Sequence, residues 1–410
     1  MHGVVRRLGD VCERSVVSRD PKRNPDSKFL YIDISAVDNA RKRITSPQRV
    51  SGRDASVRAR QLVRKNDVLV STTRPNLNAV ALVPAELDGQ VCSTGFCVLR
   101  ADVEVEPHYL FLFVQSSAFV DPLSDLVKGA LYPAVTDKQV FAQQIPWVPL
   151  VQQRQIAARL NVQLANVEQA RQAAQARLAE TEALRQAIYR DTFAGIVPVA
   201  VPPTFEAAPA GWHWAKLADI AHLESGHTPS RSRPDWWSGD ISWLSLTEIR
   251  ALDGCWVDET RIRTNAAGIA NSSARILPRA TVCFSRTASV GFVAIMGKPM
   301  ATSQDFANWV CGDALEPEFL MHALIRSRQE LRAIATGATH HTIYMPALGS
   351  FHLCLPDRPA QQRIIASLKQ QLAAIEQMRT AAQAQLADIE ALPARLLAQA
   401  FNPTDEGTSP

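Results

Sequence analysis

Paired cysteines, long apolar runs and an excess of charge of one sign are all missing from this 410-residue sequence. The seven cysteines, at positions 12, 92, 97, 255, 283, 311 and 354, form no CxxC pair and no Cys/His spacing of the zinc type. They read as small buried apolar residues in a reducing compartment, which excludes a disulfide scaffold or a zinc ribbon. No stretch approaches the roughly 18 apolar residues that span a bilayer, and MHGVVRRLGD carries charge where a signal peptide needs an apolar core. The expected location is the cytoplasm. Lysine and arginine total 44 against 40 acidic residues, so the net charge of +4 favours an anionic partner only weakly. Catalytic signatures are missing too. No GxGxxG follows a strand, and no acidic-acidic-Lys cluster of the nuclease type stands out. GFVAIMGKP (291–299) has one residue too many between its glycines for a phosphate loop, with Pro299 where Ser or Thr should bind magnesium.

What is present is repetition. Residues 153–193 align without a gap to 361–401, with about half of the positions identical. Both segments are rich in Ala, Gln, Glu, Leu and Arg and lack glycine, so each predicts one long helix, reaching about 60 Å for about 40 residues. Leu160, Leu164, Val167, Ala174 and Leu178 keep a 3/4 spacing in the first, and Leu368, Leu372, Ile375, Ala382, Leu386 and Ile389 repeat it in the second. Such seams want a partner helix, and small Ala174 and Ala382 let backbones approach closely. Two matched helices in one chain can satisfy each other, and antiparallel packing would carry the preceding globular units to opposite ends. Pro393 should end or kink the second helix early.

The globular parts repeat more faintly. VRRLGDV (5–11) answers WAKLADI (214–220), FLYIDISAV (29–37) answers ISWLSLTEI (241–249), and DVLVSTTRPNLNAVALV (67–83) answers ATVCFSRTASVGFVAIM (280–296). The last two pairs cluster β-branched and apolar residues between turn signals and predict strands. PHYLFLFVQSS (107–117) and PEFLMHALIRS (317–327) predict short amphipathic helices. Between the halves, 194–211 is a Pro- and Ala-rich connector without periodicity.

The second half runs GWHWAKLADI, SGHTPSRSRPDWWSGDISWLSLTEI, LPRATVCFSRTASVGFVAI, then GATHHTIYMPAL and LCLPDRPAQQRIIASL. In that order it resembles the target recognition domain of Type I restriction-modification specificity subunits, the HsdS family. The first half repeats the pattern, with IPWVPLVQQRQIAARL as its closing segment. It lacks the GxTPS and WxxGDIxW segments and has Val4 or Val5 in place of the opening tryptophan. The resemblance covers nearly the whole chain and implies an α+β fold: two tandem mixed α/β target recognition domains, each followed by a long helix, the helices packing as an antiparallel coiled coil. The expected boundaries are 1–150 and 211–357 for the domains, 151–194 and 358–403 for the helices, 195–210 for the linker and 404–410 for a tail. Functionally it implies a non-catalytic subunit that reads a bipartite, asymmetric site on double-stranded DNA, one domain per half-site, with the helices as a ruler. It also implies docking of two methyltransferase subunits and of motor-nuclease subunits. S-adenosylmethionine, ATP and Mg belong to those partners, and this chain is expected to bind no cofactor and no metal.

Phosphate contacts supply affinity, and side chains at base edges supply discrimination, so polar loops with arginine are the candidates. Arg41 to Lys65 is the strongest basic run, with Arg41, Lys42, Arg43, Arg49, Arg53, Arg58, Arg60 and Arg64; it reads either as a phosphate-facing surface or as a solvated face. Arg74, with Asn76, in TTRPNLN and Arg286, with Ser289, in SRTASVG occupy matching places after a strand, as base readers or as structural partners of a carboxylate. Lys128, Tyr132 and Thr136 answer His340, His341, Thr342 and Tyr344. The adjacent histidines lack ligand companions at metal spacing. Thr228, Ser230, Arg231 and Arg233 form a further polar loop. Trp236, Trp237 and Trp243 read as core packing before base stacking. Glu168, Arg171, Glu376 and Arg379 recur on the helices, as register or partner contacts or as a salt-bridged solvated face.

Two rival readings remain. A fused methyltransferase lacks its Asn/Asp-Pro-Pro-aromatic motif here. A coiled-coil adaptor or regulator explains the helices but not the duplicated strand-rich domains. Within the resemblance, a related system with a fused methyltransferase-nuclease partner could use the same reader. Exposed helix faces built for partners predict aggregation without them.

Overall fold

The structure, a computed structural model, describes residues 4–14, 16–203, 205–337 and 341–402. The chain divides into two compact units, Met1–Ala176 with Ala382–Pro410, and Arg177–Ala381. The division cuts both long helices, Leu150–Thr192 and Arg358–Phe401, so each unit contains the start of one and the end of the other. In the first unit Ala157 and Leu160 share a core with Leu397 and Phe401. In the second, Tyr189 and Phe193 share a core with Ile365 and Leu368. Start against end in both units makes the pairing antiparallel. The seam follows the expected spacing: Leu160, Ala174, Leu368, Ile375, Ala382 and Ile389 are buried, and Leu164, Val167, Leu178, Leu372 and Leu386 are half-buried between exposed neighbours.

Pro393 does not end the second helix, which continues to Phe401. A proline in a helix interior forfeits one backbone bond and costs about 3 kcal/mol. Burial of Leu397 and Phe401 in the first unit's core offsets that cost.

Each unit is built on the same antiparallel sheet. In the first, the order is Cys12–Glu13, Phe96–Ala101, Val68–Ser71, Val80–Leu82. In the second it is Ala221–Ser225, Phe306–Cys311, Val282–Ser285, Val293–Met296, with Trp256–Val257 added at the edge. A parallel pair also recurs, Lys28–Ile32 with Val91–Ser93 and Ile241–Leu244 with Ala301–Thr302. The opening strands pair with the strands that precede the long helices, Val5 opposite Pro146 and Trp214 opposite Cys354. That register places Val5, rather than Val4, where the second unit has its tryptophan.

Three expectations need correction. FLYIDISAV and ISWLSLTEI are not single strands: the strands stop at Ile32 and Leu244, Ile34–Ala36 and Leu246–Ile249 are helical turns, and Val37 opens a separate short strand. The connector is not featureless, because Val199–Ala200 adds an edge strand beside His352–Leu355. Among the cysteines, Cys255 is exposed and Cys311 half-buried; the other five are buried, and burial pushes the Cys12 thiol up to about 12.

The closing motif owes its repetition to a glutamine. Gln153 and Gln361 are fully buried. Gln153 donates to the Val148 and Glu104 carbonyls (2.9 and 3.1 Å) and accepts from the Glu106 amide (2.9 Å). Gln361 does the same with Pro356, Ala314 and Glu316 (2.9, 3.0 and 3.0 Å). Each thereby satisfies three backbone groups and ties the first turn of a long helix to its unit.

In the second unit, Tyr189 Oη and His322 Nδ1 lie 3.0 Å apart in the core. Burial pulls the His322 pKa down to about 4; Lys369 and Arg185 add to the shift and Glu318 opposes it. The unfolded chain takes up this proton near the ordinary 6.5 and the folded unit only near 4. Stability is therefore unaffected by the group above pH 6.5, falls as pH drops toward 4, and levels below, a loss of about 3 kcal/mol in total. Urea unfolding across that window should show the slope, and His322→Gln should flatten it.

Candidate nucleic-acid interface

In the first unit three loops meet. The strand Val68–Ser71 runs into 72–78, where Arg74 (φ 50°) and Asn78 (φ 46°) bracket a turn opened by Pro75. Arg74 N–H donates to the Pro133 carbonyl and Val135 N–H to the Thr72 carbonyl, both at 2.8 Å, stitching this loop to 133–135. The hairpin Val37–Asp38/Arg43–Ile44 then reaches over, its Lys42 (φ 52°) donating Nζ to the Asn78 carbonyl at 2.5 Å. Three non-glycine residues in the left-handed region in one loop cluster store strain of order 1–3 kcal/mol each, as binding sites commonly do.

The second unit repeats the stitch. Ala288 N–H donates to the His341 carbonyl (3.0 Å) and Ile343 N–H to the Arg286 carbonyl (2.9 Å), and Ala288 also has positive φ, 56°. Counting from the strand ends Ser71 and Ser285, this register matches Thr72 with Arg286 and Arg74 with Ala288. Arg74 and Arg286 are therefore not equivalent, and matching the two arginines misaligns the motifs by two residues. Thr136 and Tyr344 do correspond, each preceding a short helix, Asp137–Phe141 and Met345–Gly349.

The structure sorts the candidates by what already holds them. Arg74, Asn76, Lys128 and Tyr132 are exposed in the first cluster, as is Arg43 on the hairpin. Arg41 is paired with Asp38 (3.0 Å), and burial draws the docked Lys42 down to about 8. The Thr136 hydroxyl is occupied as a helix cap in a capping box with Gln139. The rest of the basic run is spread over the sheet of Lys28–Ile32 and its turns. Arg53 pairs with Asp26 and Arg60 with Asp20, while Arg49, Arg58, Arg64 and Lys65 are exposed without an ion pair among the described residues.

In the second unit Arg286 is a strut. It is half-buried and donates to the Gln304 carbonyl (2.8 Å), and its pKa is lowered by burial against the opposing influence of Asp305 and Tyr344. The side chain of Gln304 in turn bonds Thr228 at 2.6 Å, so this residue, absent from the sequence candidates, joins the loop 227–233 to the loop 286–291. No local pattern announces Gln304; only the sheet order brings it there. Gly226 permits the close approach, since a Cβ there would lie 2.2 Å from the Ser303 carbonyl oxygen. Arg231 lies 3.9 Å over the half-buried Trp237 ring and Arg233 4.8 Å over that of Trp236, with a fork to Asp235 (3.0 and 2.8 Å). Trp243 is core, and Ser230 bonds Ser232. Ser289 receives Arg250 at 3.4 Å, Thr342 is buried, and His341 and Tyr344 are exposed. His340 lies outside the described residues. On the helices Arg171–Glu168 and Arg379–Glu376 are ion pairs within one turn.

The Type I restriction modification DNA specificity domain matches residues 3–174 and again 209–386. The chain belongs to the Type I specificity family. The HindI specificity subunit of Haemophilus influenzae is 22% identical over 377 residues, 77% of this chain and 78% of that one. The MjaIX specificity subunit of Methanocaldococcus jannaschii is 26% identical over 163 residues, 39% of this chain and 38% of that one. A chain solved in a study of complex assembly and conformational transition of the type I R-M system is 29% identical, with a TM-score of 0.84 and 98% of both chains covered. The HsdS subunit from Thermoanaerobacter tengcongensis is 30% identical, with a TM-score of 0.67, covering 97% of this chain and 96% of that one. Specificity subunits of Type I systems are the non-catalytic DNA-recognition component. Among the described residues no helix is long and apolar enough to cross a membrane, and no His/Cys/Asp/Glu group is arranged to hold a metal ion.

Proposed function

We propose that this chain reads a bipartite, asymmetric site on double-stranded DNA, one loop cluster per half-site, with the two long helices holding the readers at a fixed separation. The supporting observation is the repeated stitch: the same backbone bonds present different side chains in the two units, Arg74 and Asn76 in one, Ser289, His341 and Tyr344 in the other. One scaffold with two sets of side chains suits two different half-sequences, and a rigid spacer fixes half-site separation as dimer spacing does elsewhere. The antiparallel helices would dock two methyltransferase subunits carrying S-adenosylmethionine, with motor-nuclease subunits supplying ATP- and Mg-dependent cleavage, in the cytoplasm.

The test is a methylation map of host DNA with the chain carrying Asn76→Ala, whose side chain is exposed beside Arg74. Each lost base contact costs about 1–3 kcal/mol of discrimination, so one half of the split adenine motif should become degenerate while the other half is unchanged. Relaxation of both halves equally, or of neither, rules out the assignment of this loop to one half-site.

A further inference from the structure

The loop 127–133 of the first unit carries an unusual tip. Leu131 and Tyr132 are each 87% exposed, and Leu77, on the loop stitched to it, is 49% exposed. Single exposed apolar residues are ordinary, but two adjacent ones at a loop tip, with a third on the loop bonded to it, expose apolar surface that water disfavours. The tip is also held. Ala130 N–H closes a turn on the Val127 carbonyl (3.1 Å), Gly129 supplies a φ of 82°, and Pro133 is fixed by the bond from Arg74. Cations adjoin it: Lys128 precedes it, and Arg74 is bonded through its backbone to Pro133 at its end, both side chains exposed. No carboxylate occurs between Leu126 and Thr136 or between Ser71 and Ala79. An apolar point with cations beside it, and no acid within either loop, complements a base stack flanked by phosphates.

We propose that Leu131 and Tyr132 form a wedge that enters the DNA between adjacent base pairs of the half-site read by the first unit, unstacking one step and bending the duplex. This rests on the DNA-reading function proposed above. Apolar side chains inserted between base pairs kink DNA by roughly 20–90°, and pyrimidine–purine steps yield most readily, so the wedge would also select a deformable step it does not contact through hydrogen bonds.

The experiment uses the chain co-assembled with its methyltransferase subunits and duplexes carrying the mapped motif, with 2-aminopurine replacing one adenine of the first half-site at a time. At one position the fluorescence should rise several-fold on binding, and phased-gel mobility should place a bend there. Leu131→Ser with Tyr132→Ala should abolish both signals while the complex still binds. Tyr132→Phe should keep them, because the ring and not the hydroxyl does the unstacking. A rise that persists in the double variant belongs to extrusion of the target base for methylation, and if it is the only rise the wedge is overturned. The wedge is overturned if the wild-type complex binds its duplex without a rise that depends on these residues. It is equally overturned if the double variant loses methyltransferase assembly instead, which would make the tip a protein contact. Failure of the wild-type complex to prefer the mapped duplex over an unrelated one would remove the DNA-reading function itself, and the wedge with it.

Discussion

Replacing Phe401 by alanine should lower the unfolding temperature of the first unit by roughly 6–20 °C, although the residue is far in sequence from the core it enters. Phe401 is 1% exposed, with its ring 5.2 Å from Tyr109 and 5.7 Å from Phe113. Truncating a buried phenylalanine costs about 3–5 kcal/mol, which for a unit of this size gives that shift. The gapless helix repeat supplies the mirror experiment. Phe193, the equivalent residue, is 1% exposed in the second unit, 5.8 Å from Phe319 and 6.3 Å from Trp212. Phe193→Ala should therefore lower the second unit's transition instead. Calorimetry of the two variants would separate them. A Phe401→Ala shift no larger than that of a surface substitution would show that the end of the second helix does not anchor in the first unit's core.

Arg43→Ala, Arg74→Ala and Lys128→Ala together should weaken DNA binding for cognate and unrelated duplexes alike, and make it less sensitive to salt. All three side chains are exposed, with no ion pair among the described residues. Each phosphate contact contributes about 0.9 to the slope of log K against log salt, so three lost contacts flatten it by nearly 3. Arg41→Ala, Arg53→Ala and Arg60→Ala remove the same charge from residues already paired with Asp38, Asp26 and Asp20, and should change the slope less. Equal slopes for the two triple variants would remove the loop cluster as the phosphate-facing surface and return the basic run to a uniform solvated face.

The elements whose signal is local were legible in the sequence. The helix seam follows from spacing alone, and the strand pairs at 68–82 and 282–296 follow from β-branched runs around a polar turn. What was not legible depends on tertiary register. Arg74 and Arg286 look alike as the first arginine after a strand, but backbone bonds to 133–135 and 341–343 count them two residues apart. Composition cannot show that Arg60 spends its charge on Asp20, forty residues earlier, or that Lys42 docks on a carbonyl. Pro393 reads locally as a terminator because the burial that offsets it lies in a domain built from the other end of the chain. Gln304 acquires its bridging place only when Thr228 and Arg286 are folded to either side.

In the proposed role this chain dictates where a partner methylates. Long-read methylation mapping of host DNA, with the gene intact and deleted and the partner subunits expressed, tests it most directly. Deletion should remove one split, asymmetric adenine motif and leave every other modified motif in place; an unchanged methylome would overturn that role.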